Sequence, residues 1–213
     1  MSVEFNSLMI PTKRRVFFSF HYQQDVWRTN QVRQSWRYQR EAQREAFGFF
    51  DGSLWESSQR KGDESLKSLI REGMKNTSVT CVLSGSQTYS RRWVRYEIAR
   101  SLVKGNGLLT VNIHKMANQQ GYASAQGPNP LSCMGVYRTD DGRFLIAALD
   151  GNNRWVSYGD YTQAIELPAG WAKPTSRDVI PLSRYGQTYD YIDQAGRNNF
   201  SDWIALAASQ VGR

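Results

Sequence analysis

The sequence predicts an α/β protein built on an open, doubly wound parallel β-sheet. Short apolar runs alternate with segments of helical length four times over about a hundred residues, between residues 16 and 113. The apolar runs are mostly continuous, which is typical of strands that are buried on both faces of a parallel sheet.

Four strands are expected in this part of the chain, over 16–20, 47–50, 79–83 and 108–113. Each apolar run ends on polar residues. Because a strand must emerge into solvent, such residues are expected at a strand end, but they also mark where a ligand can bind. The residues at these ends are His21, Asp51, Ser84 and His114.

Helices are expected between these strands and at the end of the chain. The first covers about 24–45, with apolar residues at near-helical spacing, and the second begins at Asp63, a plausible N-cap, and ends near Gly73. The third covers 90–104 and stops at Gly105. An amphipathic helix over 198–211 closes the chain.

The regular alternation breaks between residue 115 and about residue 177. Two apolar runs, 144–149 and 155–158, flank a turn-forming Asp-Gly-Asn-Asn sequence and predict a β-hairpin. The run 179–182 is expected to be a fifth, edge strand, since Pro181 is tolerated at an edge. We therefore expect one domain over 1–213, with a core of about 14–114 and 178–212 and a hairpin-rich insertion of about 115–177.

Composition narrows the functional classes. No apolar stretch is long enough to span a membrane, and the N-terminal residues do not resemble a secretory signal. Cys81 lies within an apolar run and is expected to be buried, so a reduced, cytoplasmic protein is expected. The formal net charge is +8. A basic surface attracts anionic dinucleotides as well as nucleic acids, and no combined aromatic and basic patch favours nucleic acid.

Common catalytic motifs are absent from the sequence. It contains no phosphate-binding Gly-x-x-x-x-Gly-Lys-Ser/Thr loop, no helix-opening Gly-x-Gly-x-x-Gly and no Gly-x-Ser-x-Gly elbow. A zinc site would need carboxylates in addition to His21 and His114, the two histidines of the chain. The paired acids of a response-regulator receiver do not follow the first strand.

The third predicted helix carries the most informative pattern. Ser90, Trp93 and Glu97 are spaced i, i+3 and i+7, which places them on one helical face. A fixed carboxylate near a cleft of nucleotide size could stabilise the oxocarbenium character that develops when a ribosyl bond breaks. The alternative is that Glu97 pairs with Arg100 or another arginine on a solvated helix.

Four stretches of the chain occur in a characteristic order and spacing: Arg15-Val-Phe-Phe-Ser-Phe20, Phe47-Gly-Phe-Phe-Asp51, 79–84 and 90–97. Together they resemble the TIR domains. The last stretch contains the Ser-x-x-Trp-x-x-x-Glu pattern of TIR enzymes, whose glutamate is catalytic. The resemblance covers about residues 14–114 and implies a flavodoxin-like TIR fold.

The chain also resembles the TIR-like proteins of bacterial Thoeris anti-phage defence. The additional matching stretches are 17–22, 53–56, 76–83, 127–130 and the tryptophan-containing final helix. This resemblance implies an enzyme that uses NAD as its substrate, needs no cofactor, and makes a cyclic ADP-ribose isomer on phage infection. The product would activate a separate effector protein. A phage component as trigger and self-assembly of the chain are further expectations. The insertion is expected to form a lid, a self-assembly surface or a sensor for a phage component, and the sequence does not distinguish these three alternatives.

The resemblance also assigns site residues. Glu97 matches the catalytic position. The expected substrate-binding residues are Phe20, His21, Asp51, Trp55, Ser84 and Trp93. A non-catalytic TIR adaptor, working through protein–protein contacts, is the alternative. In many adaptors the helix glutamate is missing, so Glu97 in its full motif favours the enzyme.

Overall fold

The computed structural model describes residues 14–38, 45–47, 60–175 and 178–213. Its strands, in chain order, are β1 Arg15–Phe20, β2 Glu45–Phe47, β3 Val79–Ser84, β4 Gly107–Asn112, β5 Met134–Arg138, β6 Phe144–Leu149, β7 Trp155–Ser157, β8 Ile180–Pro181 and β9 Gln187–Asp190. The helices are α1 Tyr22–Tyr38, α2 Asp63–Gly73, α3 Arg92–Lys104 and α4 Gly196–Ser209.

A five-stranded parallel sheet forms the centre of the molecule. Its strand order is β2-β1-β3-β4-β9, and every neighbouring pair is parallel. The chain therefore reverses direction across the sheet between β1 and β3, which is where open α/β sheets bind their ligands. The predicted α/β class with an open parallel sheet is confirmed.

Helices cover both faces of this sheet because its central strands are apolar on both sides. Alternate residues of β1 point to opposite faces. Val16 and Phe18 join the cluster formed with α1 and α4, whereas Phe17 packs against Ile70 of α2 and Tyr96 of α3. Because both faces are covered, β3 and β4 have mostly continuous apolar sequences. Cys81 of β3 is buried, as predicted.

A second, antiparallel sheet of four strands lies in the order β7-β6-β5-β8. The predicted hairpin is confirmed as β6 and β7, which pair across the turn that begins at Asp150. β5 was not predicted, although it supplies the centre of this sheet. Arg95 attaches the sheet to α3 by donating a 2.9 Å hydrogen bond to the carbonyl of Leu149.

The prediction that 179–182 forms the fifth strand of the parallel sheet is wrong. Ile180–Pro181 pairs antiparallel with β5, at the edge of the second sheet, where Pro181 is not needed as a hydrogen-bond donor. The parallel sheet is completed instead by β9, which pairs with β4. β9 is an edge strand with exposed, polar positions, so it carries no apolar run that the sequence pattern could identify.

Several predicted helix limits also differ. α1 begins at Tyr22, before the expected start, and α4 begins at Gly196. Asp63 is the first helical residue of α2 rather than its N-cap, a position that Gly62 occupies with a φ of 100°. The predicted strand 47–50 overlaps β2 at Phe47, and its other residues lie outside the described part of the chain.

None of the helices in the described ranges is both long and apolar enough to cross a membrane.

Candidate active site

A hydrogen bond between β1 and α3 defines the candidate site. The hydroxyl of Ser19 donates to Oε2 of Glu97 over 2.5 Å. Ser19 lies on the same side of β1 as Phe17, facing α3, because strand side chains alternate. Glu97 lies in the second turn of α3 and is 5% exposed. The pair therefore lies between the sheet and the helix, one residue before the end of β1.

Burial changes the ionisation of this carboxyl group. Removal from water raises the pKa of Glu97 to about 8, and the hydrogen bond from Ser19 opposes the rise because it favours the ionised form. No ion pair involves Glu97 within the described residues. The alternative in which Glu97 pairs with Arg100 on a solvated helix is wrong, because Arg100 lies over the ring of Tyr161 at 5.7 Å from its centroid.

Trp93 lies one helical turn before Glu97. It is partly buried against the cluster of Phe17, Ile70, Met74 and Tyr96, and its ring meets that of Tyr96 edge to face at a centroid distance of 6.0 Å. The Arg92 guanidinium lies 4.8 Å from the Trp93 ring centroid. The structure thus places Trp93 on the same face of the sheet as Glu97, at the edge of a core cluster.

The i, i+7 spacing predicted that Ser90 and Glu97 share one helical face. This prediction is wrong, because Ser90 lies outside α3. Thr88–Ser90 forms a 3-10 turn, and Arg91, which separates it from α3, has an extended backbone. Ser90 is exposed, and its hydroxyl donates to the carbonyl of Gln87. The serine that contacts the carboxyl group is Ser19. The sequence feature that could have identified Ser19 is its position as the one polar residue within the apolar run of the first strand.

Several buried polar atoms at the carboxyl ends of the central strands have no hydrogen-bond partner among the described residues. They include Nδ1 of His21, Oγ of Ser84 and Oδ1 of Asn112. Ser84 and Asn112 lie opposite each other in the register of β3 and β4, and His21 comes directly after β1. Since buried polar groups normally have a partner, these atoms are available to water or to a bound polar ligand.

His21 and Phe20 are neighbours in sequence but have different surroundings. Burial lowers the pKa of His21, the nearby Arg91 cation lowers it further, and a hydrogen bond with Gln24 opposes both effects. Phe20 is partly buried against the cluster on the α1 and α4 face of the sheet, which is the face opposite to Ser19. The structure therefore brings His21 and Ser84, but not the ring of Phe20, to the edge above Glu97.

Asp51 and Trp55 lie outside the described residues.

A buried ion pair at the start of α1 was not predicted. Asp25 Oδ1 lies 3.1 Å from Arg28, and both side chains are almost fully buried. Arg28 also donates to the carbonyls of Met116 and Tyr122 over 2.8 and 3.0 Å, and Thr88 donates to Asp25. Burial raises the pKa of Asp25, and Arg28 counteracts that rise. The pair fixes the loops that follow β3 and β4 against α1.

Within the described residues, no cluster of three or more His, Cys, Asp or Glu side chains is arranged to hold a metal ion.

Comparison with known proteins places the chain in a family. Residues 17–118, which span β1 to the loop after β4, match the family model described as Thoeris protein ThsB, TIR-like domain. The chain is also 39% identical over 194 residues to a protein of Bacillus cereus (strain MSX-D12) named "Putative cyclic ADP-D-ribose synthase ThsB1". That alignment covers 90% of this chain and 98% of the relative.

Proposed function

The chain belongs to the Thoeris ThsB family of TIR-like proteins, and from this membership we propose that it cleaves NAD and releases a cyclic ADP-ribose-type signal. The name of the Bacillus cereus relative describes this reaction class. The observation that carries the proposal is the buried Glu97 carboxyl group held by Ser19 at the carboxyl end of the parallel sheet.

The proposed reaction breaks the bond between the nicotinamide nitrogen and the anomeric carbon of the ribose. The electron pair of that bond goes to nicotinamide, which leaves as a neutral base, so no general acid is required. Positive charge develops on the ribose, and the Glu97 carboxylate stabilises it. A nucleophilic atom in the adenosine portion of the same molecule then forms the new bond to the anomeric carbon. Its proton passes to solvent, and the ring is closed.

The ionisation of Glu97 is expected to depend on the substrate. With a pKa raised to about 8, the carboxyl group is largely protonated at neutral pH in the free protein. The nicotinamide ring of NAD is positively charged, and a nearby cation favours the carboxylate. Ser19 already donates a hydrogen bond that stabilises the carboxylate. Binding of NAD would therefore promote loss of the Glu97 proton and create the active form at the reacting bond.

The signalling partners belong to the same proposal. The cyclic product would activate a separate effector protein, and a phage component would trigger synthesis. We place the activity in the cytoplasm, where NAD and replicating phage meet, with NAD as substrate and no additional cofactor. The insertion, which includes three of the four strands of the second sheet, offers the surface for a trigger or for self-assembly.

The decisive experiment is mass spectrometry of small molecules in lysates of phage-infected cells. Cells would express the wild type, Glu97→Gln or the matched control Glu72→Gln, which makes the same isosteric substitution at an exposed glutamate of α2. A cyclic ADP-ribose isomer is expected with the wild type and with Glu72→Gln, and not with Glu97→Gln. A signal from folded Glu97→Gln, or no ADP-ribose derivative from the wild type with several phages, contradicts the proposal; the second result favours an adaptor.

A further inference from the structure

A polar cleft lies between the start of α1 and the loop that follows β4. Its volume is about 390 Å³, within the range of about 300–1,000 Å³ that is typical of small-molecule sites. The residues that line it include Gln23, Gln24, Trp27 and Arg28 of α1, Ser86 after β3, and Gln119 and Gln120 after β4. The cleft is separate from the Ser19–Glu97 pair.

One wall of the cleft offers an aromatic surface. Trp27 lines the cleft and is 48% exposed, whereas Val32 and Trp36 of the same helix face the core and are fully or almost fully buried. An indole face that is half open to solvent is suited to stacking on a flat ring.

Amide side chains supply the polar contacts of the cleft. Gln23, Gln119 and Gln120 are exposed, and their side-chain amides make no hydrogen bond to other described residues. Each amide offers both a donor and an acceptor, which is the combination that Asn and Gln use to bind the amino group and ring nitrogen of adenine.

The charge of the cleft favours a neutral ring over a phosphate group. Arg28 is the charged residue among the side chains that line it, and Asp25 neutralises Arg28 at 3.1 Å. Three other N–H groups of Arg28 donate to the carbonyls of Met116, Tyr122 and Gln24. Arg28 is thus committed to its protein partners, so an uncharged base fits this cleft better than a pyrophosphate.

The cleft lies next to the strand ends of the candidate active site. Gln24 and Ser86 both line it, the Ser86 hydroxyl donates to the Gln24 side chain over 3.5 Å, and the two residues come three positions after His21 and two after Ser84. His21 comes two residues after Ser19, which holds Glu97. A ligand that extends from Glu97 across the end of β1 would therefore reach this cleft near the β1–β3 crossover.

We propose that this cleft binds the adenine base of the dinucleotide, with Trp27 stacking on the ring and the glutamine amides bonding its edge. The inference rests on the proposed function, because it assigns the nicotinamide half of NAD to Glu97 and the adenosine half to the cleft. Trp27 is therefore a substrate-binding residue, and its loss weakens binding of substrate without removing the reacting carboxylate.

Direct binding tests the inference independently of turnover. Calorimetric titration of the Glu97→Gln protein with adenosine monophosphate is expected to show binding that weakens about tenfold or more in Trp27→Ala, the effect of one lost base-stacking contact. Trp27→Phe keeps an aromatic face and is expected to recover most of the affinity. Tyr122→Ala is the matched control, because Tyr122 is 71% exposed on the adjacent loop and does not line the cleft.

The outcomes separate the inference from the proposed function. Unchanged affinity for adenosine monophosphate in folded Trp27→Ala and Trp27→Phe proteins, or no binding at all, overturns the adenine site even if the wild type makes the signal. Binding that depends on Trp27 supports the adenine site even if infected cells produce no signal, in which case the proposed function fails alone. In a protein that turns over NAD, Trp27→Ala is expected to raise KM about tenfold with little change in kcat.

Discussion

Ser19 Oγ lies 2.5 Å from Oε2 of Glu97, so a side chain of the central sheet directly contacts the carboxyl group of the neighbouring helix. This contact is formed inside the protein, where water does not compete for it. The two states of the carboxyl group therefore differ strongly in energy, and the Ser19 hydroxyl influences which state is populated.

Ser19→Ala is expected to lower NAD turnover at neutral pH by about tenfold or more, because a hydrogen bond to an ionised group is lost. Without that bond the pKa of Glu97 rises further. The pH profile of kcat/KM, which reports groups of the free enzyme, should rise with pH through about 8 in the wild type and at higher pH in Ser19→Ala.

Ser90→Ala is the matched control for that experiment. Ser90 belongs to the sequence motif, but its hydroxyl bonds to Gln87 at the surface. We expect its turnover to stay within about twofold of the wild type, the range of an ordinary surface substitution. Equal loss of activity in both serine variants would contradict the assignment of Ser19 as the serine that acts on Glu97.

Glu97→Gln is expected to become more stable relative to the wild type as pH rises. The folded pKa of about 8 lies above the ordinary value of 4.5, so the folded protein retains a proton that the unfolded chain has lost between these values. Stability from Glu97 is fully present below about pH 4.5 and falls as pH rises to about 8. The glutamine variant does not titrate, so this loss is absent from it.

Urea denaturation at pH 5 and pH 8.5 would measure this difference. The free energy of unfolding of Glu97→Gln, relative to that of the wild type, should increase by on the order of a few kcal/mol between the two pH values. A constant difference would show that Glu97 is not buried as a neutral group.

Gly107→Ala is expected to destabilise the fold by about 1–3 kcal/mol or more. A Cβ atom at this position would lie 2.0 Å from the backbone oxygen of Ala207, because the start of β4 packs directly against α4. Gly159→Ala is the control, since a Cβ there meets nothing within 4 Å. Thermal unfolding of both variants would test the close approach, and an unchanged midpoint for Gly107→Ala would contradict it.

Asp25→Ala is expected to cost about 3–5 kcal/mol, because it leaves the Arg28 cation buried without its partner. The exposed pair of Glu72 and Lys75 provides the comparison, and Glu72→Ala should cost less than about 1 kcal/mol. Free energies of unfolding from urea titrations would separate the two. Similar small costs for both variants would show that the Asp25–Arg28 pair does not hold the loops together.

The sequence determined the central strands of the parallel sheet, because strands buried on both faces leave a continuous apolar run. β3 and β4 are examples, since all their positions are buried. The same rule could not find β9, an edge strand whose exposed positions are polar, and it assigned 179–182 to the wrong sheet. Apolar character shows that a segment is buried, but the pairing partner depends on contacts that are distant in sequence.

For the candidate site, the sequence by itself singled out Glu97 and the strand ends at His21 and Ser84, because the motif spacing and the end of each apolar run are local features. The tertiary structure alone decided that Ser19, 78 positions away in the chain, is the partner of Glu97. It also replaced the expected helical face at Ser90 with a separate turn. Hydrogen-bond partners and burial follow from the packing of a strand against a helix, and no local pattern specifies which side chains that packing brings together.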